Sequence, residues 1–176
     1  MKIVLVRHSK VLIKHKRIYA NELKDFIDSY NNTPIDLTLE PSTELKNLIY
    51  ECSFFISSSL PRSINTIKIF KREPNYSDKI FSEEELFYTK RRFFRCSSAL
   101  WIVVFRIIWF ARGGRESSNS KRATEILINL AQENGSIMLV GHGIKNRLIA
   151  SNLKKLGWRE SQKLGSRNLG FGVYEK

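Results

Sequence analysis

Four consecutive aliphatic residues, Ile3-Val4-Leu5-Val6, run without a polar interruption into Arg7-His8. A strand with one face in solvent alternates apolar and polar residues. An unbroken β-branched and aliphatic run suits a strand covered on both faces. The chain repeats the arrangement: Ser53-Phe54-Phe55-Ile56-Ser57 leads into Ser58-Ser59-Leu60-Pro61-Arg62-Ser63, and Ser136-Ile137-Met138-Leu139-Val140 leads into Gly141-His142-Gly143. The stretches between them carry apolar residues at three- and four-residue spacing, the period of an amphipathic helix. Strands that alternate with helices pair in parallel through helical crossovers. The expected fold is therefore α/β, a three-layer sandwich with a largely parallel sheet and helices on both faces.

Helices are expected over residues 20–30, with Leu23, Phe26, Ile27 and Tyr30 inward, and from an N-cap at Ser42, with Leu45, Leu48 and Ile49 inward. A third should start at Pro61, whose missing N–H costs nothing in a first turn, and bury Ile64, Ile67 and Phe70. Residues 117–134 read as a helix closed by Gly135, and residues 143–156 as another. Lys79-Ile80-Phe81 is expected to be a third strand, and Phe171-Gly172-Val173-Tyr174 an edge strand. The expected domain organisation is a single domain over 1–176 with a helical insertion or lid at about 87–116.

The 30 lysines and arginines against 17 acidic residues give a formal net charge of +13. Such a balance suits a polyanion, an anionic membrane surface or anionic small substrates. No DNA or RNA recognition motif and no separate basic tail accompany it, so no nucleic-acid partner is expected. Cys52 and Cys96, the two cysteines, have neither metal-ligand nor redox spacing. They fit a reducing compartment, and no leader-like segment precedes the first strand, so a cytoplasmic location is expected. Oligomeric state is left open.

The most apolar stretch, 99–111, has 13 residues with Arg106 near its centre. A bilayer span needs about 20. The expectation is a helix over the mouth of the site, with Trp101, Phe105, Ile108 and Trp109 on the packed face and Arg106 turned away from it. The alternative is a helix lying in a membrane surface, with Trp101 and Trp109 at the interface.

In open parallel sheets, ligands bind at the carboxyl ends of the strands. Arg7-His8, residues 58–62, Glu83-Glu84-Glu85 and Gly141-His142 each follow an expected strand. Together they deliver arginines, histidines and carboxylates to one rim. Phosphoryl transfer through histidine needs that set: a neutral imidazole to attack phosphorus, guanidinium groups to hold the oxygens, and an acid for the leaving alkoxide. His15 lies in a basic loop and is expected to be a surface residue.

Leu5-Val6-Arg7-His8-Ser9 resembles the signature of the histidine phosphatase superfamily, the group that includes cofactor-dependent phosphoglycerate mutases. Ser58-Ser59-Leu60-Pro61-Arg62-Ser63 with Thr66 resembles its second motif, and Val140-Gly141-His142-Gly143 its third. The resemblance implies His8 as the nucleophile, with Arg7, Arg62 and His142 completing the phosphate pocket. It also implies an acidic proton donor after the third strand: Glu83 is favoured from the run Phe81-Ser82-Glu83-Glu84-Glu85-Leu86, and Glu85 is second choice. Ser9 stands where the family usually has glycine, so it either sits in a compatible turn or adds a hydroxyl to the phosphate pocket. No metal or other cofactor is implied. The short chain lacks room for a mutase's insertions, which favours a metal-independent phosphatase over mutase-type transfer. The substrate would be a phosphorylated small molecule or a phosphoprotein, including phosphohistidine. A non-catalytic phosphate- or polyanion-binding module is the remaining alternative.

Overall fold

The structure is a computed structural model that describes residues 1–114 and 117–176. Its main sheet contains β1 (Lys2–Arg7), β3 (Phe54–Ser58), β4 (Tyr76–Asp78), β6 (Ser136–Gly141), β7 (Arg159–Gln162) and β8 (Phe171–Glu175), in the order β4-β3-β6-β1-β8-β7. The pairs β4–β3, β3–β6 and β6–β1 are parallel, whereas β8 runs antiparallel to both β1 and β7. A two-stranded ribbon pairs β2 (Arg17–Ile18) with β5 (Cys96–Ser97). The described α-helices are α1 (Leu23–Asn32), α2 (Thr43–Glu51), α3 (Pro61–Ile69), α4 (Ser98–Ala111), α5 (Ser118–Asn134) and α6 (Gly143–Lys155).

The period-2 geometry of a strand turns each unbroken apolar run into two half-cores. Ile3 and Leu5 of β1, with Ile137 and Leu139 of β6, meet Ala123, Leu127 and Ala131 of α5 and Ile149 and Leu153 of α6. Val4, Val6, Met138 and Val140 point the other way, onto Leu45 and Ile49 of α2 and Ile67 of α3. The three-layer sandwich is thus built from both faces of the same strands. Ser42 caps α2 by accepting the N–H of Leu45, and Gly135 ends α5 with a positive φ of 77°.

Two strand expectations need correction. Lys79–Phe81 is a 3-10 turn, because the Asp78 carboxylate accepts the N–H of Ile80 and turns the chain out of the sheet. The strand is Tyr76–Asp78, paired with Ile56–Ser58, and the turn drives Phe81 into the core. Nor is Phe171–Glu175 at the edge. It lies between β1 and β7, with Phe171, Val173 and Tyr174 all buried. The edge is β7, whose sequence Arg159-Glu160-Ser161-Gln162 has no apolar residue to signal a strand.

The first helix also differs. Residues 20–22 form a 3-10 turn, and α1 continues to Asn32 before Thr33 takes an extended conformation ahead of Pro34. A third apolar cluster joins α1 to α4 through Leu23, Phe26, Trp101 and Phe105. No helix among the described residues is long and apolar enough to cross a membrane.

Candidate active site

The carboxyl ends of β1, β3 and β6 open onto a cavity of about 770 Å³. Arg7, His8, Arg62, Glu83 and His142 all line it. The chain holds His8 through its backbone: its N–H donates to the Gly141 carbonyl (3.0 Å), and its own carbonyl accepts from Asn168 Nδ2 (3.0 Å). Asn146 of α6 crosses behind, donating Nδ2 to the Val6 carbonyl at 3.0 Å. A side chain at Gly141 would collide with the Asn146 amide, which is why β6 ends on glycine just before His142.

His8 is buried, and its Nδ1 lies 2.7 Å from the Ser9 carbonyl oxygen. A carbonyl only accepts, so Nδ1 carries the proton and the neutral ring keeps its lone pair on Nε2. Burial first, then the guanidinium charges of Arg62 and Arg7, push its pKa down to about 3 against the opposing hydrogen bond to Ser9. The His142 ring lies 5.2 Å away, centroid to centroid. Its Nδ1 accepts from Arg62 Nε (3.3 Å), which places the proton of the neutral ring on Nε2, toward Ser58 Oγ at 2.7 Å. Burial and the nearby Arg62, His8, Arg7 and Lys145 hold it well below the usual imidazole range.

Arg62 is itself buried, on the first turn of α3. Besides His142 it donates Nη1 to Asn31 Oδ1 (2.6 Å) and stacks 5.1 Å above the Tyr30 ring. Arg7 donates Nη1 to the Ser166 carbonyl at 2.5 Å, and its buried Nε has no partner among the described residues. That orphan donor and the fork of Arg62 make this end of the cavity suited to an oxyanion.

The three consecutive glutamates go to three different environments. Glu83 accepts the backbone N–H groups of Ile144 (3.2 Å) and Lys145 (2.8 Å), and so is pinned at the start of α6 beside His142. Glu84 turns inward, where Lys145 Nζ, Ser117 Oγ and Ser120 Oγ all donate to its Oε1. Burial raises its pKa, but those donors outweigh burial and hold it below the usual carboxylate value. Glu85 is exposed.

Ser9, expected among the phosphate-binding residues, does not line the cavity. Its hydroxyl donates to the Asp36 carbonyl (2.8 Å) and its N–H to Thr66 Oγ1 (2.9 Å). Its contribution to the site is the carbonyl that orients His8. His15, expected at the surface, is exposed and lies 2.9 Å from Ser98 Oγ at the cavity rim.

The α4 helix presents three faces. Trp101 and Phe105 pack into the third core cluster, as the spacing predicts, while Trp109 is only partly covered and lies beneath Arg106. A second face, formed by Ile102, Val103, Arg106, Ile107 and Phe110, lines the cavity. Arg106 lies off the Trp101–Phe105 face, as expected, and on the cavity side, where it donates Nη2 to the Glu84 carbonyl (3.0 Å) and leaves a buried Nη1 without a partner among the described residues. The inferred insertion ends at 115–116, which lie outside the described residues.

Sequence reasoning assigned no role to Asn31, Ser58 or Lys145. Ser58 lies within the second motif; Asn31 and Lys145 carry no local signal, because their partners Arg62 and Glu84 are distant in the chain. Among the described residues, no group of three or more His, Cys, Asp or Glu side chains is placed to hold a metal ion.

No family model matches the chain, and no curated protein does. Solved structures are similar over almost its whole length. A structure described as mycobacterial hydrolase 2 is 15% identical, with a TM-score of 0.59 over 98% of this chain and 80% of its own. A mycobacterial glucosyl-3-phosphoglycerate phosphatase is 15% identical, with a TM-score of 0.54 over 98% and 88%. A mutant phosphoserine phosphatase from Entamoeba histolytica, in a complex with phosphoserine, is 17% identical, with a TM-score of 0.52 over 98% and 89%. The mostly parallel sheet with helices on both faces matches these neighbours over nearly the whole chain: it has the phosphoglycerate-mutase-like α/β fold of the histidine phosphatases.

Proposed function

We propose that this chain is a metal-independent phosphatase that hydrolyses a phosphomonoester through a phosphohistidine on His8. The observation that carries the reading is the state of that ring: buried, neutral, and with Nδ1 committed to the Ser9 carbonyl so that Nε2 is the free nucleophile. Nε2 attacks phosphorus as the phosphorus–oxygen ester bond breaks. Arg7 and Arg62 hold the non-bridging oxygens, and His142, which fixes Arg62, completes the wall. Glu83 hands a proton to the departing alkoxide. It takes one back from the water that attacks phosphorus and returns the nitrogen lone pair to His8. The solved structures named as phosphatases of phosphomonoesters support a small phosphorylated substrate. Lys24, Asp28 and Glu85 line the cavity and are exposed, so water reaches its mouth. That favours hydrolysis over a mutase, which must shelter phosphohistidine.

Rapid quenching with a ³²P-labelled phosphomonoester tests the reading. The acid-labile label should map to His8, and turnover should persist in EDTA. A label on His142, or activity that collapses on chelation and returns with Mg²⁺, overturns it.

Glu83→Gln should slow alkyl phosphates by at least about 100-fold while p-nitrophenyl phosphate, whose phenolate departs with little protonation, falls by less than about tenfold. An equal loss for both substrates would remove Glu83 from the proton-donor role.

The depressed pKa of His8 sets a pH dependence. Native His8 stays neutral down to about 3, whereas the unfolded chain takes up that proton near 6.5. Stability should therefore fall as pH drops between those values, by up to about 1.4 kcal/mol per unit for one such group. Turnover should behave differently. Once the substrate's own ionisation near about 6 is allowed for, kcat/KM should show no imidazole titration from pH 7 to 5. Denaturant titrations and pH–rate profiles measure the two separately.

A further inference from the structure

The third face of α4 is turned to solvent and is wholly apolar. Leu100, Val103, Ile107 and Ala111 form a stripe at three- and four-residue spacing, with Leu100 49%, Val103 52% and Ile107 62% exposed. The preceding loop exposes two more aromatic rings, Phe93 at 44% and Phe94 at 72%, which lie 6.3 and 5.3 Å from the Trp101 ring at the start of the same helix. An exposed run of this kind marks a contact surface.

Its charge identifies the contact. From residue 86 to residue 114 there is no aspartate or glutamate, while Lys90, Arg91, Arg92, Arg95, Arg106 and Arg112 are all cationic. Arg92 and Arg95 stand over the Tyr19 ring at 4.0 and 5.5 Å, and Arg112 over Phe87 at 4.8 Å. These arginines are exposed and stand in the chain at either end of the stripe, Arg92 and Arg95 before α4 and Arg112 just after it. Apolar and aromatic side chains bordered by cations match the layered chemistry of an anionic bilayer surface, with acyl chains beneath and phosphates above. A self-complementary contact with a second copy would instead bring the cations of one chain against those of the other, with no acid in the segment to offset them.

The stripe is also continuous with the cavity, since Val103 and Ile107 belong to both. We propose that this face of α4 docks the protein on an anionic lipid surface, from which an amphiphilic phosphomonoester enters the cavity headgroup-first. The docking stands independently; the substrate class rests on the phosphatase reading above.

Co-sedimentation of the full chain with vesicles tests the docking. Phosphatidylcholine vesicles containing phosphatidylglycerol should pellet the protein, phosphatidylcholine alone should not, and high salt should release it. Lys90→Ala with Arg91→Ala should weaken partitioning by about thirty-fold. Phe94→Glu with Leu100→Glu should abolish binding while p-nitrophenyl phosphate is still turned over. Dodecyl phosphate presented in the anionic vesicles should have a higher kcat/KM than glycerol phosphate in solution. Absence of binding, equal binding to neutral vesicles, indifference to both double variants, or a dimer that Leu100→Glu dissociates would overturn the docking. Soluble turnover without vesicle binding removes the docking and leaves the phosphatase. Vesicle binding without turnover of any phosphomonoester removes the phosphatase and leaves the docking.

Discussion

His8→Ala should lower kcat toward a phosphomonoester by at least about 10⁴-fold with the fold intact. The loss is large because the other imidazole cannot take over. Both nitrogens of His142 are engaged, one accepting from Arg62 and the other toward Ser58, so no second lone pair faces the substrate. The variant removes a buried ring but leaves the backbone bonds of residue 8 to Gly141 and Asn168 in place. Circular dichroism and thermal unfolding establish the fold, and single-turnover kinetics the chemical step. A variant that retains turnover within about tenfold of the parent would mean that the covalent step lies elsewhere.

Glu84→Gln should destabilise the protein by about 3–5 kcal/mol while changing the chemistry far less than Glu83→Gln does. The Lys145–Glu84 pair spans 2.8 Å, with side-chain exposures of 1% and 10%. Removing the carboxylate charge leaves an ammonium in the interior facing Ser117 and Ser120, whose hydroxyls were oriented by that same Oε1. The penalty comes from the abandoned cation. Replacing both partners with apolar residues, as in Glu84→Leu with Lys145→Met, should therefore recover part of the loss. Denaturant titration of the two single variants and the pair measures the coupling directly. A Glu84→Gln protein as stable as the parent would show that the pair contributes nothing net.

The strand–helix alternation was readable because burial on both faces leaves an unambiguous mark: Ile3 to Val6 and Ile137 to Val140 contain nothing polar. The positions of Arg7, His8, Arg62 and His142 at strand ends followed from the same runs, since a motif that ends a buried strand can only emerge at the rim. Local capping was equally legible at Ser42 and Gly135. In each case the determining physics lies within a few residues of chain: side-chain period, φ preference, or a backbone donor needing an acceptor.

Everything settled by partners distant in sequence waited for the tertiary structure. Three adjacent glutamates are chemically identical in the sequence. The start of α6 captures Glu83, Lys145 captures Glu84, and Glu85 is left in solvent. Ser9 looked available to phosphate until the Asp36 carbonyl took its hydroxyl and Thr66 its N–H. The polar strand β7 exists because β8 offers it an edge, not because its residues favour extension. On α4 the helical period placed Trp101 and Phe105 together. It could not say that the core would take that side, the cavity the next, and solvent the third. A helix wheel fixes angles between side chains, whereas its rotation about its own axis is set by what packs against it.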